Sequence, residues 1–271
     1  MELNCSKFKS MERSIFSKVD ATIICLVLLI VMPITVKLGN KMRKKFWRSE
    51  EGDTKGGVNS LLGALFGLWG FILAFSFGQS GVRFENLRSM IVDEANYLRN
   101  SIIRADLFPD SIRNVYRAEL QKYLEERISY YDNAGDEIKL QNNSEEISKT
   151  SASLWETTVA LTKRPETRTT AEAMATSLIN LFDIGTKREA LLNAGIPGPV
   201  SVTLIILALS ICFVGGFTTP TIKHKEWIVI FAFAFLAVMI LYITIDLARP
   251  MEGLIRPDAG QASIIKLRRF F

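Results

Sequence analysis

Apolar positions in this chain are gathered into four stretches almost free of charge: Ala21 to Leu38, Asn59 to Gly78, Val200 to Phe217 and Trp227 to Leu247. Lys37 and Asp246, both close to a stretch end, are the only charges inside them. An apolar run of about 18 to 25 residues matches the roughly 30 Å hydrocarbon core of a bilayer at 1.5 Å per helical residue, and buried soluble helices seldom carry one longer than about 14. The pattern predicts a polytopic membrane protein with spans at about 21–38, 59–78, 200–217 and 227–247, and argues against a soluble enzyme.

The spans form two hairpins separated by a polar insert, which gives three parts: residues 1–80, 81–199 and 200–271. The connection Gly39 to Gly57 is strongly basic, and Thr218 to Glu226 is a short Pro-containing turn. Within the insert, apolar residues recur three and four apart, while Gly and Pro sit only at the joints, so it reads as a helical bundle. Phe84, Leu87, Ile91, Ala95, Leu98, Ile102 and Ala105 make one stripe, with no breaker between it and the second span except Gly78 and Gly81. A single helix is therefore expected to leave the bilayer and enter the insert. Phe108-Pro109-Asp110-Ser111 ends it and starts the next, with Asp110 or Ser111 as N-cap. Asn133 to Asp136 is a turn, a third helix is expected from about Ser144 to Thr162, and a fourth from about Glu166 to Asn193. Gly195-Ile196-Pro197-Gly198-Pro199 then returns the chain to the membrane. The expected fold is all-α, with four transmembrane helices and a helical insert between spans 2 and 3.

Composition adds mostly exclusions. Of 271 residues, 33 are Lys or Arg and 28 Asp or Glu, and the net charge of +5 needs no nucleic acid, because basic residues beside spans fix topology and meet anionic headgroups. Cys5, Cys25 and Cys212 show no pairing pattern, which excludes a disulfide scaffold and a thiolate metal site. His224 is the one histidine and offers no triad or metal pair. No nucleotide, phosphate or metalloprotease motif occurs, so no catalytic residue, metal or cofactor is expected. The flank Val36-Lys37-Leu38-Gly39 lacks a small-x-small cleavage pattern, so the first span is expected to be a retained helix.

The second span carries the most information. Ser60, Gly63, Gly67, Gly70, Ala74 and Gly78 recur at spacings of three and four, one stripe of small residues along a helix. Such stripes let backbones approach closely in lipid. Two uses are open: ordinary contact within one subunit, or packing against copies around a central axis. Phe71 and Phe75, one turn after Gly67, would form stacked apolar rings around such an axis, and rings of this kind gate ions by dewetting a narrow passage. Arg83 and Arg88 follow within about two turns, where they could anchor in headgroups, pair with Asp93 or Glu94, or set the field at a pore mouth.

Ala74-Phe75, Arg83-Phe84, Arg88, Glu94-Ala95-Asn96, Arg104 to Pro109 and the ending Asp246 to Gly253 resemble the bestrophin-like membrane proteins, in particular the bacterial and plant family of unknown function with a bestrophin-like domain. With the order of two spans, helical insert and two spans, the resemblance covers nearly the whole chain. It implies a homo-oligomeric, pentameric ion channel in a bacterial inner (plasma) membrane, an ion-transport protein whose partners are the lipid bilayer, its own copies and inorganic ions. It also implies that Gly67, Phe71 and Phe75 form the pore neck. Ser76 and Gly78 stand where the family carries Arg and Asn, Gly81 where an aromatic precedes the first motif arginine, and Ala248 where Asp usually precedes Arg-Pro.

Two other classes stay open: a non-conducting membrane scaffold or sensor whose insert binds a partner, and a transporter, for which the spans supply only Pro33 and Asp246. With the N-terminus in the cytoplasm, 13 Lys and Arg lie inside and 9 outside, which favours a cytoplasmic insert and termini, although the dense first loop argues the opposite way. The tail Gly260 to Phe271, alternating apolar and basic residues, is expected to lie on the membrane surface, pack on a neighbouring subunit, or fray.

Overall fold

The computed structural model describes residues 21–46, 54–133, 136–193, 198–219, 224–249 and 253–271. The N-terminal tail with Cys5, the turn at Ala134-Gly135, most of the Gly/Pro cluster before Pro199 and Pro250 to Glu252 of the family-like ending lie outside them, at least in part. The described residues are mostly helical and include no strand. In chain order the helices are α1 (Ala21–Phe46), α2 (Thr54–Ala105), α3 (Asp110–Asp132), α4 (Glu137–Thr162), α5 (Arg168–Asn193), α6 (Gly198–Thr218), α7 (His224–Leu247) and α8 (Asp258–Ile265), followed by a 3₁₀ turn, η1 (Lys266–Phe270). Four of them, α1, α2, α6 and α7, are long and apolar enough to cross a membrane.

The predicted continuity of the second span holds. α2 is one helix of 52 residues, roughly 78 Å long at 1.5 Å per residue, so the bilayer core accounts for less than half of it. Its residues up to Gly81 belong to a compact unit with α1, α6 and α7, and its residues from Val82 onward to a second unit with α3, α4, α5 and the C-terminal segment.

In the first unit the core is a single apolar cluster including Leu28, Met32, Trp69, Leu73, Leu204, Ile211, Ala237 and Leu241. α1 extends past the expected end at Leu38 to Phe46 and carries Lys41 to Lys45 with it. The reason is a cap made for another helix: Asn40 Nδ2 and Arg43 Nη1 donate to the carbonyls of Thr219 and Thr218, the otherwise unmet acceptors at the end of α6. Just before them, Gly39 and Gly216 allow a backbone crossing of α1 and α6. A Cβ on Gly39 would overlap the Phe213 carbonyl, and one on Gly216 the Val36 carbonyl.

In the second unit the predicted stripes converge on one core that runs from Leu87 through Leu181 and ends with Ile264 and Leu267. Three boundaries differ from expectation. α3 begins at Asp110 itself, and no side chain caps it; the amides of Ile112 and Arg113 bond the Pro109 carbonyl instead. α4 starts seven residues before Ser144, because Asp136 caps it by accepting from the amides of Ile138 and Lys139 at 3.2 Å each. α5 starts at Arg168, and the Thr167 hydroxyl preceding it donates to Leu161 at 2.9 Å, tying the joint to the end of α4.

The tail is neither frayed nor free. α8 and η1 fold back on the second unit, with Ile264 and Leu267 buried in its core and Arg268 forming a two-bond pair with Glu125 at 2.8 and 2.6 Å. Apolar residues on this segment find an intramolecular face, which corrects the expectation of a frayed terminus.

Candidate functional site

Successive residues of a helix point about 100° apart, so the residues of the second span divide into two faces. Trp69, Leu73, Ser76 and Ser80 are buried, and Trp69 Nε1 donates to the Leu204 carbonyl at 3.1 Å, fixing α2 to α6. Phe66 adds an edge-to-face contact with Phe233 of α7, centroids 5.4 Å apart. About half a turn round the helix from Trp69 lie Ser60, Gly67, Phe71, Ala74, Phe75 and Gly78, all exposed, with Gly63 and Gly70 exposed along the border of that face. Phe71 and Phe75 are 72% and 63% exposed. A Cβ added at Gly63, Gly67, Gly70 or Gly78 would meet nothing within 4 Å.

Among the described residues, these four glycines therefore make no close approach within the chain. The close approach that glycine permits occurs at Gly39, expected at the start of the basic connection, and at Gly216, expected near the end of the third span. What remains is a face of glycines and phenylalanines presented outward over about five helical turns.

The two arginines expected at the span's exit have different surroundings. Arg83 is half-buried, and its Nη2 donates at 2.8 Å to the carbonyl of Leu191, one of the last acceptors of α5. Arg88 is exposed and 3.8 Å from Glu85, a loose surface pair. Neither meets Glu94, contrary to one of the pairings expected from sequence.

Glu94 is instead the centre of a buried ion cluster in the second unit. Arg127 of α3 donates through Nε to Glu94 Oε1, and Arg188 of α5 donates through Nη1 to Glu94 Oε2. Arg127 Nη1 also reaches Glu189 Oε1 at 2.8 Å. Glu94, Arg127 and Arg188 are each no more than 1% exposed. Burial alone would push the Glu94 carboxyl up, but the two guanidinium charges and their hydrogen bonds outweigh it and hold the group below the usual carboxylate range. Tyr123 Oη lies 3.5 Å from Glu94, and desolvation pushes its phenol well above the ordinary value. Glu126 is partly buried and accepts from Thr150 Oγ1 at 2.9 Å.

Sequence reasoning passed over Arg127 and Arg188. Each sits among charged neighbours in sequence, and their carboxylate partner is 33 and 94 residues away, so only their positions on the stripes of α3 and α5 could have signalled burial.

No group of three or more potential metal ligands occurs among the described residues. Pro33, the helix breaker that a transporter would use, sits within the continuous α1 and borders an apolar groove with Leu29, Ile30, Ile34, Phe231 and Phe235.

Comparison with known proteins gives one result: the family model described as Bestrophin-like domain matches residues 26–256. No curated protein and no solved structure matches the chain.

Proposed function

Because this chain belongs to the bestrophin-like family of membrane proteins, we propose that it assembles into a homo-oligomeric, pentameric channel that conducts ions passively through a central pore lined by the second span. The observation that carries the reading is the outward face of α2, where Gly67, Phe71 and Phe75 are left uncovered although the opposite face is packed. Glycines on that face permit close approach of symmetry-related helices, and the phenylalanines then stack as two apolar rings, one turn apart. A ring of phenylalanine sheds water when narrow, so it resists ions until it widens. In this reading Gly67, Phe71 and Phe75 form the neck, the remaining small residues seat neighbouring helices, and Arg88 is the exposed basic group at the mouth, Arg83 being held by Leu191. The protein performs passive transport with no catalytic residue or cofactor, and the second unit and termini face the cytoplasm.

Ion flux from liposomes holding the purified protein tests it, with Phe71→Ala and Phe75→Ala beside the native chain. Truncating either ring is expected to raise flux several-fold under the same salt gradient. Equal or absent flux from all three, with folding and assembly verified, would remove the pore assignment and favour a non-conducting scaffold.

A further inference from the structure

α1 and α7 border an apolar groove of about 510 Å³, lined by Leu29, Ile30, Pro33, Ile34, Phe231 and Phe235. That volume falls in the range of ligand-holding clefts, about 300 to 1,000 Å³, yet none of the six residues is polar. Ile30, Ile34, Phe231 and Phe235 are exposed, so the groove opens toward the hydrocarbon that α1 and α7 cross.

The charge above the groove sets it apart from ordinary lipid-facing surface. At about 100° per residue, Lys37, Lys41 and Lys44 share with Ile30, Pro33 and Ile34 one sector of α1, about 100° wide. They follow Pro33 by about 6 to 17 Å along the axis, and the hydrocarbon of one leaflet is roughly 15 Å deep. All three are exposed, with no side-chain partner among the described residues, whereas the neighbouring Arg43 is committed to the Thr218 carbonyl. α7 begins shortly after Thr219, which Asn40 caps, so its first turn lies at this same end of α1. There Trp227 packs on Phe231 one turn below, ring centroids 5.9 Å apart. Indole rings favour the headgroup level, so Trp227 marks on α7 the depth that the lysines mark on α1. Glu226 is the acidic residue in the first turn of α7, and set against the three lysines it leaves the balance positive.

We propose that the groove between α1 and α7 holds an acyl chain of one anionic phospholipid, whose headgroup is taken by Lys37, Lys41 and Lys44. A zwitterionic lipid would fill the groove equally well but leave the three ammonium groups without a counter-charge. A neighbouring helix laid along the groove would run past the same lysines and bury them unpaired, which is costly. The site requires only that α1 and α7 cross the membrane, and it does not depend on the pore reading of α2.

Quenching of tryptophan fluorescence by lipids brominated in their acyl chains tests the proposal. The full-length protein is placed in phosphatidylcholine vesicles, and the Trp227 signal is the difference between each chain and its Trp227→Phe counterpart. At equal mole fraction, brominated phosphatidylglycerol is expected to quench Trp227 at least threefold more effectively than brominated phosphatidylcholine. Replacing Lys37, Lys41 and Lys44 together by Gln should bring the two lipids level. Ile30→Phe fills the groove while keeping every charge, and should reduce the preference at least twofold. Equal quenching by both lipids in the native chain would overturn the site and make the groove ordinary boundary surface. Quenching by neither would overturn it by placing a second copy of the chain over the groove. A preference that survives loss of the lysines would move the headgroup contact elsewhere, and one that Ile30→Phe leaves unchanged would reduce it to surface attraction; either overturns the site. Phe71→Ala should keep the native preference whatever its ion flux, so failure of the pore reading and failure of this site are told apart.

Discussion

Gly216 of α6 lies against Val36 of α1 so closely that a methyl group on Gly216 would overlap the Val36 carbonyl. Gly67 of α2, a residue of the same type in the same unit, has nothing within 4 Å of where a methyl would stand. Equal substitutions should therefore have opposite consequences. Gly216→Ala forces the α1 and α6 backbones apart and is expected to cost about 3 kcal/mol or more, as overpacking of a tight interior does. Gly67→Ala should leave the stability of the isolated subunit unchanged and alter only assembly. Denaturation of detergent-purified subunits and size analysis of the assemblies separate the two effects; a Gly67→Ala subunit as unstable as Gly216→Ala would show that its stripe is covered within the chain.

If the outward face of α2 surrounds an axis, identical residues on it approach one another across the assembly. In a Cys5→Ser background, Gly67→Cys should form disulfide-linked dimers and higher species on mild oxidation in membranes. Ile30→Cys, on the outer side of α1 and 62% exposed, should not. Cys25 and Cys212 are buried and serve as silent internal controls. Non-reducing electrophoresis reads the result, and equal ladders from both variants would mean random collision rather than a central α2.

The spans were legible because exclusion of charge over some 20 residues is a property of composition, and the insert because its stripes keep one period over many turns. The start of α4 was not legible. Its first turns bury little, Ile138 being exposed, so the apolar stripe becomes visible only near Ile147, whereas the cap at Asp136 is a local hydrogen-bond choice. On the second span, the phenylalanine and glycine positions were readable, but which face is covered depends on Trp69 finding Leu204, a contact between distant parts of the chain. The Glu94 cluster was hidden for the same reason: Arg127 and Arg188, each beside other charged residues in sequence, read as solvated until their long-range partner is known. Asn40 and Arg43 looked like ordinary members of a basic loop, yet their role is to cap α6.

Glu94 gives the second unit a defined acid response. Its folded-state carboxyl is held below the ordinary value, of about 4.3, that it has in an unfolded chain. Its contribution is thus fully present above the unfolded value and is lost as pH falls through the lower folded one. Stability should be insensitive to this group between pH 7 and 5 and decline below about 4. Glu94→Gln removes the charge that pairs two buried guanidinium groups and is expected to cost about 3 to 5 kcal/mol at neutral pH, with the acid-linked decline reduced. Urea unfolding at pH 7, 5 and 3.5 checks both; an unfolding midpoint for Glu94→Gln equal to the native one at pH 7 would contradict the ionic role.

The C-terminal segment joins the second unit through two kinds of contact that should differ in weight. Leu267 is buried in the core, so Leu267→Ala loses apolar burial and leaves a cavity, an expected cost of about 2 to 4 kcal/mol. Arg268 and Glu125 are paired at 2.6 Å, but both are about half exposed, and water and salt screen a pair in that position. Arg268→Gln should therefore shift the unfolding midpoint by no more than experimental error, and by less still in high salt. Limited proteolysis provides a second readout: Leu267→Ala should expose α8 to cleavage near Arg256, and Arg268→Gln should not. Equal protection of both variants would mean that the Leu267 side chain is not what holds the segment, leaving that to Ile264 and the contacts of Phe270 and Phe271.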